Sequence, residues 1–113
     1  MTHLKIDYVE FSSPSLPASR DFFAKAFEWS FQDYGPTYAA MTNAGIEGGI
    51  QGDPAEGAGP PLVILKADDL EAAEAAVTRA GGVIVKPIFA FPGGRRFHFR
   101  EPGGNELAVW SEK

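Results

Sequence analysis

Residues 95–110, RRFHFREPGGNELAVW, set Arg96, His98 and Arg100 in alternation with Phe97 and Phe99. On a strand this alternation turns the basic side chains to one face and the phenylalanines to the other. An imidazole flanked by two guanidinium groups has the chemistry of a general acid or base, or of a metal ligand. The stretch LKIDYVEF, residues 4–11, adds a phenol and a carboxylate two positions apart, Tyr8 and Glu10. Glu10, His98 and Tyr8 are therefore the candidate catalytic residues, and proton transfer is the chemistry they suit. A catalytic divalent metal asks for three or more His, Asp or Glu side chains. The chain has two histidines, His3 and His98, and no cysteine. A centre built from His98, Glu10 and Glu106 is conceivable, but the expectation is no metal and no cofactor. Each candidate also has a plain structural role open to it. Tyr8 reads as a core or interface aromatic, Glu10 as a salt-bridge member, His98 as a hydrogen-bonded strand residue and Trp110 as part of a dimer seam. Arg95, Arg100 and Glu101 read as a solvated rim. The Gly48-Gly49 and Gly93-Gly94 pairs read as bulges or turns, and neither precedes a helix as a phosphate loop would.

These residues need elements to position them. Alternation from Leu4 to Phe11 predicts a strand that the Ser-rich stretch 12–15 ends. Leu16, Phe22, Phe23 and Phe27 then share one helical face, with Pro17 in the first turn. Strand-like runs follow at 29–34, 38–42 and 46–51, separated by Gly35-Pro36 and Asn43-Ala44-Gly45. GDPAEGAGP, residues 52–60, has the composition of a linker. The pattern then restarts: LVILKA as a strand, a helix capped by Asp68 or Asp69 and closed by Gly81-Gly82, then VIVKPIF, RRFHFRE and ELAVWS. The chain thus predicts one α+β domain of two βαβββ modules, 1–51 and 61–113, a repeat of roughly 50 residues. Strand alternation buries Phe97, Phe99, Leu107 and Val109 under the helices. It turns Ile6, Tyr8, Glu10, Leu62, Lys66, Arg96, His98 and Trp110 to the opposite face. Of these, Tyr8, Glu10, Leu62, Lys66, Arg96, His98 and Trp110 are the candidate ligand-binding residues, and Glu10 is expected beside one of the cations.

A formal charge of -5 from 10 Lys+Arg and 15 Asp+Glu argues against a nucleic-acid partner. The absence of cysteine suits a reducing cytoplasm. No apolar run approaches the roughly 20 residues of a membrane span, so no membrane partner is expected.

The two-module pattern, YVEF ahead of the helix SRDFFAKAFEW and the closing FREPGGNELAVW resemble the glyoxalase, bleomycin-resistance and extradiol-dioxygenase superfamily, the vicinal oxygen chelate fold. The resemblance implies a curved mixed sheet with a concave ligand cavity, and pairing into a homodimer, for which Trp29, Phe31 and Trp110 are candidates. In catalytic members a divalent metal is held by strands one, four, five and eight. Carried onto this sequence, those places are Tyr8, then Gly48 or Ile50 (Glu47 with a slip of one), Leu62 and Ala108. Two functions stay open: a metal-free small-molecule-binding protein of the bleomycin-resistance type, or a lactoylglutathione-lyase-like enzyme with non-standard catalytic residues.

Overall fold

The computed structural model describes residues 3–113; residues 1 and 2, at the start of the expected first module, lie outside them. Eight strands and two helices follow in βαβββ-βαβββ order, an α+β fold: β1 (Lys5–Ser12), α1 (Leu16–Phe27), β2 (Phe31–Asp33), β3 (Tyr38–Met41), β4 (Gly48–Gln51), β5 (Leu62–Lys66), α2 (Leu70–Arg79), β6 (Val83–Phe91), β7 (Gly94–Arg100) and β8 (Glu106–Ser111). The expected strand at 29–34 is shorter, because Trp29 leaves the strand to stack on Phe23. The chain divides into two compact units, Tyr8–Pro61 and Leu62–Lys113, and the segment up to Asp7 belongs with the latter.

In the unit Tyr8–Pro61, β2 pairs antiparallel with β3, β3 antiparallel with β4, and β4 parallel with β1. Pro17 in the first turn starts α1, and Glu28 ends it in the left-handed conformation, donating its amide to Ala24 O. Phe11 meets Phe23 of α1 at 5.6 Å between ring centres, so the odd-numbered end of β1 faces the helix. Buried Gln51 donates to Ser12 Oγ and Gly57 O and accepts from Asp53 N, tying the Gly- and Pro-rich loop to the end of β4. One expectation fails in this unit. Gly48 and Gly49 form no bulge or turn; both are buried inside β4 in unbroken register with β1 and β3. They are glycine because neighbours come close: a Cβ at Gly49 would fall 2.6 Å from two ring carbons of Tyr38.

In the unit containing Leu62–Lys113, β5 pairs parallel with β8, and β8, β7 and β6 run antiparallel in turn. Asp69 caps α2 by accepting from Ala72 N at 3.0 Å. Gly93, at φ +116, turns the chain from β6 to β7 in a conformation that a residue with a Cβ rarely adopts. Leu70 and Ala73 of α2 pack on Phe97, Phe99 and Val109, with Leu65 and Leu107 beside them. The expected phase of β7 and β8 is therefore the observed one.

The two units repeat one register. Val9 of β1 lies opposite Gly48 of β4, and Val63 of β5 opposite Leu107 of β8; the helix that follows starts at Leu16 in one and Leu70 in the other. Tyr8 and Leu62 thus hold equivalent places, and Gly49 is the counterpart of Ala108.

Phe97 is fully buried. Phe97→Ala is expected to cost about 3–5 kcal/mol in urea unfolding, whereas Asp69→Ala should cost about 1 kcal/mol through loss of the cap.

Candidate functional site

Alternation along β1 places Tyr8 and Glu10 on the side away from α1, where they meet Tyr38 of β3. The Tyr8 and Tyr38 hydroxyls share a hydrogen bond of 2.6 Å, and Tyr38 donates to Glu10 Oε2 at 3.0 Å. Burial, with the nearby Glu10 charge, pushes both phenols above the usual tyrosine range, so both stay protonated at neutral pH. Tyr38 was not among the sequence candidates. Its signal was indirect: two adjacent glycines inside a strand mark a place where something large crosses close to the backbone.

The other expected site residues lie on β5, β7 and β8. Trp110 donates its indole N–H to Asp7 Oδ2 at 2.9 Å, Lys66 Nζ stands 5.0 Å over the Trp110 ring, and Phe91 packs against Trp110 at 6.3 Å. Lys66 also pairs with Glu112 at 3.3 Å. Arg96 lies over Phe89 and Phe91 at 5.4 and 5.6 Å. Leu62 is half-buried at the start of β5. Along this face, aromatic rings and cations are layered on one another. The start of β1 departs from expectation here. Ile6 is 60% exposed, and Asp7, of opposite parity, is the residue that reaches Trp110. A half-buried indole needs an acceptor, which a carboxylate supplies and an isoleucine cannot.

His98 is 3% exposed, with Phe89 stacked at 5.8 Å and its Nδ1 3.0 Å from Glu106 Oε2. A carboxylate only accepts, so the neutral ring carries its proton on Nδ1 and leaves a lone pair on Nε2. Nε2 is buried with no hydrogen-bond partner among the described residues. Burial foremost, then the Arg96 and Lys86 charges, hold the imidazole below the ordinary histidine range, against the pull of Glu106. Glu106 in turn faces Arg100 across the strand pair at 3.5 Å. Arg95 stands apart on the rim, forked onto Glu71 and hydrogen-bonded to Lys113 O. His3 is exposed; with Leu4, Lys5, Asp7, Lys66 and Asp68 it lines an open depression of about 260 Å³, away from His98.

A family model for the glyoxalase/bleomycin resistance protein/dioxygenase superfamily matches residues 5–109. The chain belongs to this superfamily. A search of curated proteins finds no match. Among solved structures, one described as NAD-dependent benzaldehyde dehydrogenase from Legionella pneumophila superposes with a TM-score of 0.77 at 15% identity, covering 94% of this chain and 98% of its own. A Mn(II)-bound glyoxalase from Novosphingobium aromaticivorans gives 0.68 at 22% identity, over 96% of this chain and 38% of that one. Methylmalonyl-CoA epimerase from Mycobacterium tuberculosis gives 0.67 at 14% identity, over 94% and 86%. At these identities the likeness is one of fold.

The superfamily's metal can be tested against the side chains present. The places expected to carry ligands hold a protonated phenol at Tyr8, an isobutyl group at Leu62 and a fully buried methyl at Ala108; the β4 place, expected at Gly48 or Ile50, falls by register on Gly49, the counterpart of Ala108, where the space is taken by the Tyr38 ring. That set does not fit a divalent cation, which takes imidazole and carboxylate donors. Among the described residues, no group of three His, Asp or Glu side chains could hold a metal ion. Of the His98, Glu10 and Glu106 set, His98 and Glu106 meet.

The lowered His98 pKa fixes a pH dependence. Above about 6.5, the unfolded value, both states are neutral. Below it the unfolded chain takes up a proton that the folded chain refuses, so stability falls until the folded pKa is passed. His98→Gln should flatten the urea-unfolding free energy over the interval just below about pH 6.5. An unchanged slope there would place the titration elsewhere.

Proposed function

We propose that this protein is a cytoplasmic small-molecule-binding protein of the glyoxalase/bleomycin-resistance type that works without a metal. The observation that carries the reading is the Tyr8–Tyr38–Glu10 chain, which fills the ligand positions of β1 and β4 with hydrogen-bonded phenols. Binding residues in this reading are Tyr8 and Glu10 in one unit, and Leu62, Lys66, Arg96, His98 and Trp110 in the other. The layered rings and cations around Trp110 and Phe89 suit planar compounds. No helix among the described residues is long and apolar enough to cross a membrane.

A second reading is a glyoxalase-related lyase or isomerase working through Glu10, His98 and Tyr8. The Glu106–His98 pair favours it, because a carboxylate that orients an imidazole is how proton-transfer sites hold a base. Structures described as a Mn(II)-bound glyoxalase and as a methylmalonyl-CoA epimerase share the fold, which supports an enzyme reading.

A homodimer belongs to the same proposal. Trp29, Phe31 and Trp110 are each packed within the chain, on Phe23, Arg20 and Asp7 respectively. Phe22 and Phe27 of α1, more than half exposed, are the better interface candidates. Sedimentation should show a dimer at micromolar concentration that Phe22→Glu dissociates.

A thermal-shift screen with a panel of metabolites and antibiotics, run with chelator and with divalent metals, tests the binding reading. At least one compound should raise the melting temperature in chelator, and elemental analysis after dialysis should find no stoichiometric metal. One tightly held metal per chain, lost in His98→Ala, would replace this reading by the enzyme.

A further inference from the structure

The hydrogen-bond chain on β1 and β3 has a direction. Glu10 as a carboxylate can only accept, so the single proton of Tyr38 is committed to Glu10 Oε2 at 3.0 Å. In the 2.6 Å contact between the two phenols, Tyr38 is therefore the acceptor and Tyr8 the donor. The one proton of Tyr8 is spent in turn, and its oxygen keeps its lone pairs for whatever lies outside the chain. Hydrogen bonds in series polarise one another, so the negative charge at the inner end makes the outer oxygen a stronger acceptor. Gly49 supports the geometry, since any side chain there would collide with the Tyr38 ring. Tyr8, Glu10 and Tyr38 are all only partly buried, which leaves the chain within reach of a small molecule.

From this we propose that Tyr8, Tyr38 and Glu10 form a hydroxyl-recognition site that accepts a hydrogen bond from a neutral ligand of the phenol or alcohol class and rejects the corresponding anion. The inference rests on the small-molecule-binding reading and names a ligand class for it. Selectivity follows from two facts. The outer atom of the site accepts and has no proton left to give, and a carboxylate lies two hydrogen bonds behind it. An oxyanion placed against Tyr8 would meet lone pair and charge together. A hydroxyl would meet a strengthened acceptor.

4-Nitrophenol is a suitable probe, because its anion is yellow and its neutral form is not. With the protein in excess, the probe's ionisation should move to higher pH, since the neutral form is the one held. Tyr38→Phe cuts the link between Tyr8 and the carboxylate without removing the ring from Gly49, and should weaken binding of the neutral probe about tenfold. Glu10→Gln should abolish the preference for the neutral form, because the amide can donate back into the chain and reverse its direction. Circular dichroism and urea unfolding of each variant separate these effects from misfolding. Preferential binding of the nitrophenolate, no binding of either form, or a Tyr38→Phe variant indistinguishable from the parent would overturn the proposal. If compounds of other classes still stabilise the protein in the thermal-shift panel, the binding reading stands and only the hydroxyl site is lost.

Discussion

Phe97 and Phe99 lie buried against Leu70 and Ala73 of α2, and this contact sets the phase of β7. A strand has a side-chain period of two, so once the phenylalanines are committed to the helix, Arg96, His98 and Arg100 have no choice of face. Because β8 pairs with β7 in fixed register, Leu107 and Val109 join the core and Glu106 is delivered to the side of His98. Slipping β7 by one residue would drive two guanidinium groups and an imidazole under α2 and expose both rings. The hydrophobic term thus fixes the polar constellation without any of its members contributing to the choice.

The polar face then has to satisfy itself. His98 finds Glu106, Trp110 finds Asp7, and Arg96 lies over two aromatic rings. In the unit Tyr8–Pro61, the same demand links Tyr8, Tyr38 and Glu10 into one chain. Buried or half-buried polar groups left alone would each cost of the order of 1–3 kcal/mol, so these partnerships are a condition of folding as well as a source of chemistry.

How much of this was legible in the sequence follows from the range of the interactions involved. The helices, a cap at Asp68 or Asp69, the succession of elements along the chain and the inward phase of Phe97, Phe99, Leu107 and Val109 are local patterns, and local patterns survive in a single sequence. The equivalence of Tyr8 and Leu62 was also readable, because it needs only the spacing from each strand to its helix. What could not be read were pairings between residues far apart in the chain. Asp7 meets Trp110 across 103 positions, and Tyr38 meets Glu10 across 28. Gly48 and Gly49 show the limit most clearly. A glycine pair signals either backbone freedom or a close neighbour, and the sequence offered the first while the structure shows the second.

The equivalence of the two units sharpens the point about their chemistry. Gly49 and Ala108 are counterparts in register, as are Tyr8 and Leu62. One unit carries glycine at its β4 position, with a phenol from β3 in the space beside it. The other carries a methyl at its β8 position, Ala108, which sits fully buried opposite Ile64 on one side and His98 on the other. Two places that are equivalent in register lie beside different polar arrangements: an acceptor chain ending on Glu10 in one unit, and an imidazole held by Glu106 in the other. Since a shared backbone frame constrains positions and leaves residue types free, the chemistry of a member of this superfamily has to be argued from its own side chains. Here those side chains are phenols, carboxylates and a buried histidine.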